Sequence, residues 1–143
     1  MILFESPEKV YNLKPKKSYK SWLKEVAASE KFEIGELTYV FLSDEDLLEM
    51  NINYLDHHTY TDIITFDNSE EEDLIEGDIF ISIDRVKENA EKFKVSFEHE
   101  LRRVLAHGLL HLCGYKDKTD EESTKMRQME DKALDMWENQ SGK

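Results

Sequence analysis

Two histidines, His107 and His111, stand four residues apart in the stretch HGLLHLCGYKD, with Gly114 three and Asp117 six residues beyond the second. On an α-helix, side chains four apart share a face, so both imidazoles can converge on one ion. Gly114 can take the left-handed backbone that reverses the chain, which returns Asp117 as a third ligand. Three protein ligands leave a tetrahedral zinc one open position, as catalytic rather than structural zinc sites do. One histidine among Leu109, Leu110 and Leu112 would read as a core residue, but this spacing reads as a metal site. Asp117 is the weakest of the three, since Asp120, Glu121 or water could take its place. His57, His58 and His99 read as surface residues, and Cys113, two residues past His111, as a small buried thiol pointing away from the ion.

The residue after the first histidine is Gly108, where a zinc peptidase would carry glutamate. Without that base, proton transfer to a poor amine leaving group has no agent. A phosphodiester needs less help if a metal activates water and neutralises charge on the phosphoryl oxygens. The motif therefore fits metal-assisted phosphodiester cleavage better than proteolysis. No protein base is assigned, and the nucleophile would be water at the ion's open position. Gly108 would also let another backbone or a substrate approach the helix.

Several elements must position these residues. ILFE reads as a short strand, and PKKSYKSWLKEVAASEKF as a helix with Tyr19, Trp22, Leu23 and Val26 on one face. ELTYVFLS is β-branched and aromatic, hence a strand. Ser43 can cap a helix through DEDLLEMNINYL, with acids in its positive first turn. TDIITFD and GDIFISI read as strands flanking an exposed acidic loop, Asp67 to Asp78, possible arms of one long hairpin. DRVKENAEKF is a short helix, and Ser96 can cap the motif helix FEHELRRVLAHGLLHL. Thr119 and Glu122 have the capping-box spacing and open a last helix through Met126, Met129, Ala133 and Trp137. The order β-α-β-α-β-β-α-α-α predicts an α+β fold: a four-stranded sheet packed with about five helices, in two or three layers.

The 143 residues, without repeats or Pro/Gly/Ser linkers, predict one domain over 1–143. Hydrophobic residues make up 39% and charged residues 36%, a soluble globular balance. The one cysteine allows no intrachain disulfide and suits a reducing compartment. MILFESPEKV has no basic start or long apolar run, and no segment is long enough to span a bilayer, so a cytoplasmic protein without a membrane partner is expected. The net charge of −13 argues against coating nucleic acid by bulk electrostatics, but leaves room for a focused basic cleft. Lys14, Lys16, Lys17, Lys20, Lys24, Arg85, Arg102, Arg103, Lys116 and Lys118 are the local cations, each by itself more often a solvated charge.

HGLLHLCGYKD resembles the signature H-G-x-L-H-L-x-G-Y-D-H of the YbeY family of bacterial rRNA maturation factors. NINYLDHHTYTDIITF and EGDIFIS are similar to two further blocks of that family, N-x-x-Y-R…T-D-V-L-S-F and L-G-D-I-x-I-S, in the same order and spacing. The resemblance covers Asn51 to Asp117. It implies a zincin-like metal site on a helix, with one zinc per chain. It also implies a single-strand-specific endoribonuclease acting in maturation of the 3′ end of 16S rRNA and in ribosome quality control. The implied partners are precursor rRNA and the small ribosomal subunit, with no DNA expected.

Two departures from the family pattern matter. Asp117 replaces the third histidine; carboxylate binds zinc but cancels one unit of its charge, leaving bound water less acidic and favouring harder metals. Leu55 stands where the family carries arginine, so another cation must hold phosphate. Arg103, one turn before His107 on the ligand face, is the first candidate, and Arg85 the second. The rival readings are a zinc peptidase, which would need a carboxylate such as Asp62 or Asp78 at the ion, and a non-enzymatic assembly factor with a structural metal, which would need four protein ligands and no open cleft.

Overall fold

Apolar residues alternate along the strands, and the two faces they create decide which layer each helix joins. The computed structural model describes residues 1–55 and 61–141. Its elements are β1 (Ile2–Glu5), α1 (Lys16–Ser29), β2 (Glu33–Leu42), α2 (Asp44–Leu55), β3 (Ile63–Asp67), β4 (Leu74–Ser82), α3 (Ile83–Phe93), α4 (Phe97–Leu112) and α5 (Asp120–Ser141). This is the expected order.

The four strands form one mixed sheet in the order β1-β2-β4-β3. β1 and β4 flank β2 in parallel, and β3 closes the sheet antiparallel to β4. The expected hairpin is present, with Ile63 opposite Ile81 and Asp67 opposite Gly77. The acidic loop is shorter than the expected Asp67 to Asp78, because β4 already begins at Leu74 and buries Ile75. The apolar alternation of that segment outweighs its acidic composition.

On one face, Leu37, Tyr39 and Phe41 of β2 and Ile75, Ile79 and Ile81 of β4 join Trp22, Leu23, Val86, Leu105, Leu109 and Ala133 in the main core. On the other, Val40, Leu42 and Ile64 pack against Leu47 of α2. The result is three layers: α2, the sheet, and the remaining helices. Two buried polar side chains tie the large layer together. The Tyr39 hydroxyl donates to the Leu105 carbonyl at 2.9 Å, and the Trp22 indole N–H to the Ala133 carbonyl at 2.7 Å.

The sequence caps hold. Ser43 accepts from Asp46 N–H, Ser96 from His99 N–H, and Thr119 and Glu122 exchange the two bonds of a capping box. Among the described residues, no helix is long and apolar enough to cross a membrane.

Candidate metal centre

Helix α4 runs against the sheet, and Gly108 sets how closely. A Cβ there would lie 3.0 Å from Ile63 Cδ1 and from both Cδ1 and Cγ2 of Ile79. What approaches Gly108 is thus the sheet, and not a substrate or a second backbone; the residue is buried. This close seat turns His107 and His111 toward the start of β3, where Asp62 precedes Ile63. The Asp62 carbonyl accepts from Ser82 N–H at 3.0 Å, which pins that corner to β4.

The end of α4 explains how Asp117 returns. Gly114 has φ +102°. Its N–H donates to the His111 carbonyl, and Tyr115 N–H to the Leu110 carbonyl, at 3.0 and 3.1 Å. These are the two bonds of a Schellman turn. The turned chain brings Asp117 Oδ2 to 3.3 Å from His107 Nε2 and 3.6 Å from His111 Nε2. Ligands about 2.0–2.2 Å from one tetrahedral ion lie roughly 3.3–3.6 Å apart. One donor atom from each of the three residues falls within 4.8 Å of the others, and His107, His111 and Asp117 are the one such group among the described residues. The donor set fits a single divalent cation.

His107 is held from its other side. Its Nδ1 lies 2.6 Å from Glu130 Oε2 on α5. Glu130 Oε1 accepts from Arg103 Nη1 at 2.9 Å, and Arg103 Nη2 donates to Asp131 at 2.8 Å. Burial disfavours charge on His107, but the hydrogen bond and charge of Glu130, with Asp117 and Asp62 nearby, raise its pKa. Burial likewise pushes Glu130 toward protonation, and its bonds to His107 and Arg103 override this, so its pKa falls. An N–H on Nδ1 donated to Glu130 leaves the Nε2 lone pair for a metal.

The group opens onto a cleft of about 440 Å³, also lined by Asp62, Asn89, Phe93, Glu100, Arg103 and Arg127. Asp62 has a raised pKa, first through burial, with Glu130 and Asp117 adding and His107 opposing. Glu100 is 5% exposed and raised for the same first reason.

The other sequence candidates are distributed around this centre. Arg103 lines the cleft, but its guanidinium is engaged by Glu130 and Asp131. Arg85 grips Asp44 at 2.8 Å and Glu88 at 3.2 Å and is not among the lining residues. Asp78 accepts from Asn68 on the sheet, away from the cleft. Arg102 stacks over Trp137 at 4.9 Å. His99 is half-buried, not a plain surface residue. The half-buried Cys113 packs against the core, and its thiol is pushed up to about 12 by burial and then by Glu30. His57 and His58 lie outside the described residues. The sequence reading missed Glu130. The signal was present: it is a carboxylate inside the stripe Met126, Ala133, Trp137, where the helix faces the core.

A family model described as Endoribonuclease YbeY matches residues 3–138. The chain belongs to the YbeY endoribonuclease family. It is 55% identical over 135 residues to Endoribonuclease YbeY of Cytophaga hutchinsonii, covering 94% of each chain. With Endoribonuclease YbeY of Flavobacterium johnsoniae it shares 48% identity over 91% of this chain and 93% of that one. The solution structure of TM1509 from Thermotoga maritima superposes with a TM-score of 0.69 at 28% identity, covering 98% of this chain and 91% of that one. The YbeY match therefore extends over both the sheet and α5, well beyond the Asn51–Asp117 blocks that carry the sequence resemblance.

Proposed function

We propose that this chain is a metal-dependent endoribonuclease that cuts single-stranded RNA during rRNA processing, with one zinc ion held by His107, His111 and Asp117. The observation that carries this reading is the three-residue donor group facing an open cleft, in a chain of the YbeY family. The curated relatives bear the name endoribonuclease. A bound divalent ion would supply Lewis-acid activation of water and charge neutralisation at a phosphoryl oxygen.

The protein's own residues do the rest. His107, His111 and Asp117 present one nitrogen, one nitrogen and one oxygen from the end of α4 and the turn after it. Glu130 fixes the ring of His107, and Arg103 fixes Glu130. Asp62 lines the cleft, and its raised pKa suits it to carry a proton there, the role position 108 cannot fill. On this reading the substrate is precursor RNA of the small ribosomal subunit, and the work is done in the cytoplasm.

One observation favours a second reading. Asp62 in the cleft is also the carboxylate a zinc peptidase would need. Incubating the zinc-loaded protein with precursor rRNA and, separately, with casein distinguishes them. The expected outcome is chelator-sensitive RNA cleavage and intact casein. Chelator-sensitive casein hydrolysis with intact RNA would overturn the endoribonuclease reading. A purely structural metal would need a fourth protein ligand and a closed site; the donor group has three members among the described residues and opens on the cleft.

A further inference from the structure

The cleft has a wall that metal chemistry does not use. Phe93, the last residue of α3, lines it and is 49% exposed. Lys94 follows at φ 58°, caps the helix through its N–H, and so fixes where α3 ends and the ring is presented. Asn89, one turn earlier, lines the same cleft. Lys92 places its ammonium 5.6 Å from the Phe93 ring centroid, adding positive charge at the rim of an acidic protein.

Arg127 of α5 lines the same cleft with a side chain 56% exposed. Its ion pair with Glu130 is 3.7 Å long, and the same Glu130 oxygen already accepts from Arg103 at 2.9 Å. Arg103 is 16% exposed and spends its fork on two carboxylates. Of the two arginines lining the cleft, Arg127 is therefore the more exposed and the more weakly paired.

An exposed aromatic ring and an exposed guanidinium, lining one cleft together with His107, His111 and Asp117, match the two chemical parts of a nucleotide. Bases stack on aromatic side chains whatever their identity, and a planar guanidinium suits phosphate. We infer that Phe93 and Arg127 form a subsite for one nucleotide of single-stranded RNA, the ring stacking on its base and the guanidinium binding its phosphate. This rests on the endoribonuclease reading. A base inside a duplex is already stacked and cannot reach Phe93, so the subsite selects for unpaired RNA.

The test is binding of a short fluorescein-labelled single-stranded oligoribonucleotide to the zinc-loaded full chain, read by anisotropy at mixing, before turnover. Phe93→Ala should weaken single-strand binding about 5–10-fold, the low end for one lost stack, and leave duplex binding unchanged. Phe93→Trp should retain affinity. Arg127→Ala should weaken binding and reduce the log–log salt slope by about 0.7. Zinc content should stay intact in all three. Unchanged single-strand affinity in Phe93→Ala or in Arg127→Ala, while the wild type binds and cuts, overturns the subsite alone. A wild type that neither binds nor cuts RNA overturns the endoribonuclease reading and the subsite with it.

Discussion

Glu130 Oε2 lies 2.6 Å from Nδ1 of His107, and the two residues are 23 positions apart on different helices. The contact makes α5 part of the candidate metal centre although α5 contributes none of its three donor residues. It assigns the His107 proton to Nδ1 and aims Nε2 at Asp117, 3.3 Å away. Removing such a partner typically costs about 10–100-fold in metal affinity. Glu130→Ala should fall in this range in a competition titration against a chromophoric zinc chelator. Glu130→Gln, which keeps an acceptor, should lose less. Wild-type affinity in Glu130→Ala would remove the helix from the site.

The donor group itself predicts a metal count. Wild-type protein should carry one zinc per chain, and His107→Ala combined with His111→Ala should carry none, by elemental analysis. Full metal content in the double variant would end the assignment. Asp117→His should keep the ion, since imidazole and carboxylate both ligate zinc.

Proton competition sets a pH dependence. In the metal-free protein His107 has a raised pKa, and the ion can bind only after that proton leaves. Zinc affinity should therefore fall as pH drops through the raised His107 value. Glu130→Gln removes the negative charge that helps raise it and leaves only a neutral acceptor. The onset of the fall should then move to lower pH. An unmoved onset would mean that another group controls it.

Buried acids in the cleft give a second pH effect, of opposite origin. Glu100 titrates above its ordinary 4.5 when folded, because burial penalises its charge, with Asp62 and Glu130 adding to the shift and Arg103 and Arg127 opposing it. The folded state then holds a proton that the unfolded state has released, so stability falls as pH rises from 4.5 through the folded value. Glu100→Gln should flatten that fall in denaturant titrations of chelator-treated protein. Below 4.5 the two proteins should differ little in pH dependence. A fall of equal size in the variant would contradict the assignment.

Gly108→Ala measures the seat of α4 on the sheet. Alanine gains about 1 kcal/mol in helix propensity. The new methyl meets three isoleucine carbons at 3.0 Å, and Ile79 is fully buried. Overpacking of this kind costs about 1–3 kcal/mol. The expected net is a loss of up to about 2 kcal/mol by denaturant unfolding, with zinc affinity reduced as His107 shifts. A more stable variant with wild-type zinc affinity would show that the isoleucines yield freely.

Much of this protein is decided by local sequence. The order of elements, the three helix caps at Ser43, Ser96 and Thr119, and the Gly114 turn follow from short-range patterns, since hydrophobic period and capping chemistry act within a few residues. His107, His111 and Asp117 were legible for the same reason: one helical turn and one reversal place them. The tertiary structure alone decided the rest. Glu130 reaches His107 only because α5 packs against α4, and a carboxylate in an apolar stripe does not announce its partner. Arg103 and Arg127 look alike as sequence, two basic residues on helices. Packing holds one, half-buried, between Glu130 and Asp131 and leaves the other more exposed in the cleft, because the solvation and pairing of a charge depend on neighbours brought from elsewhere in the chain.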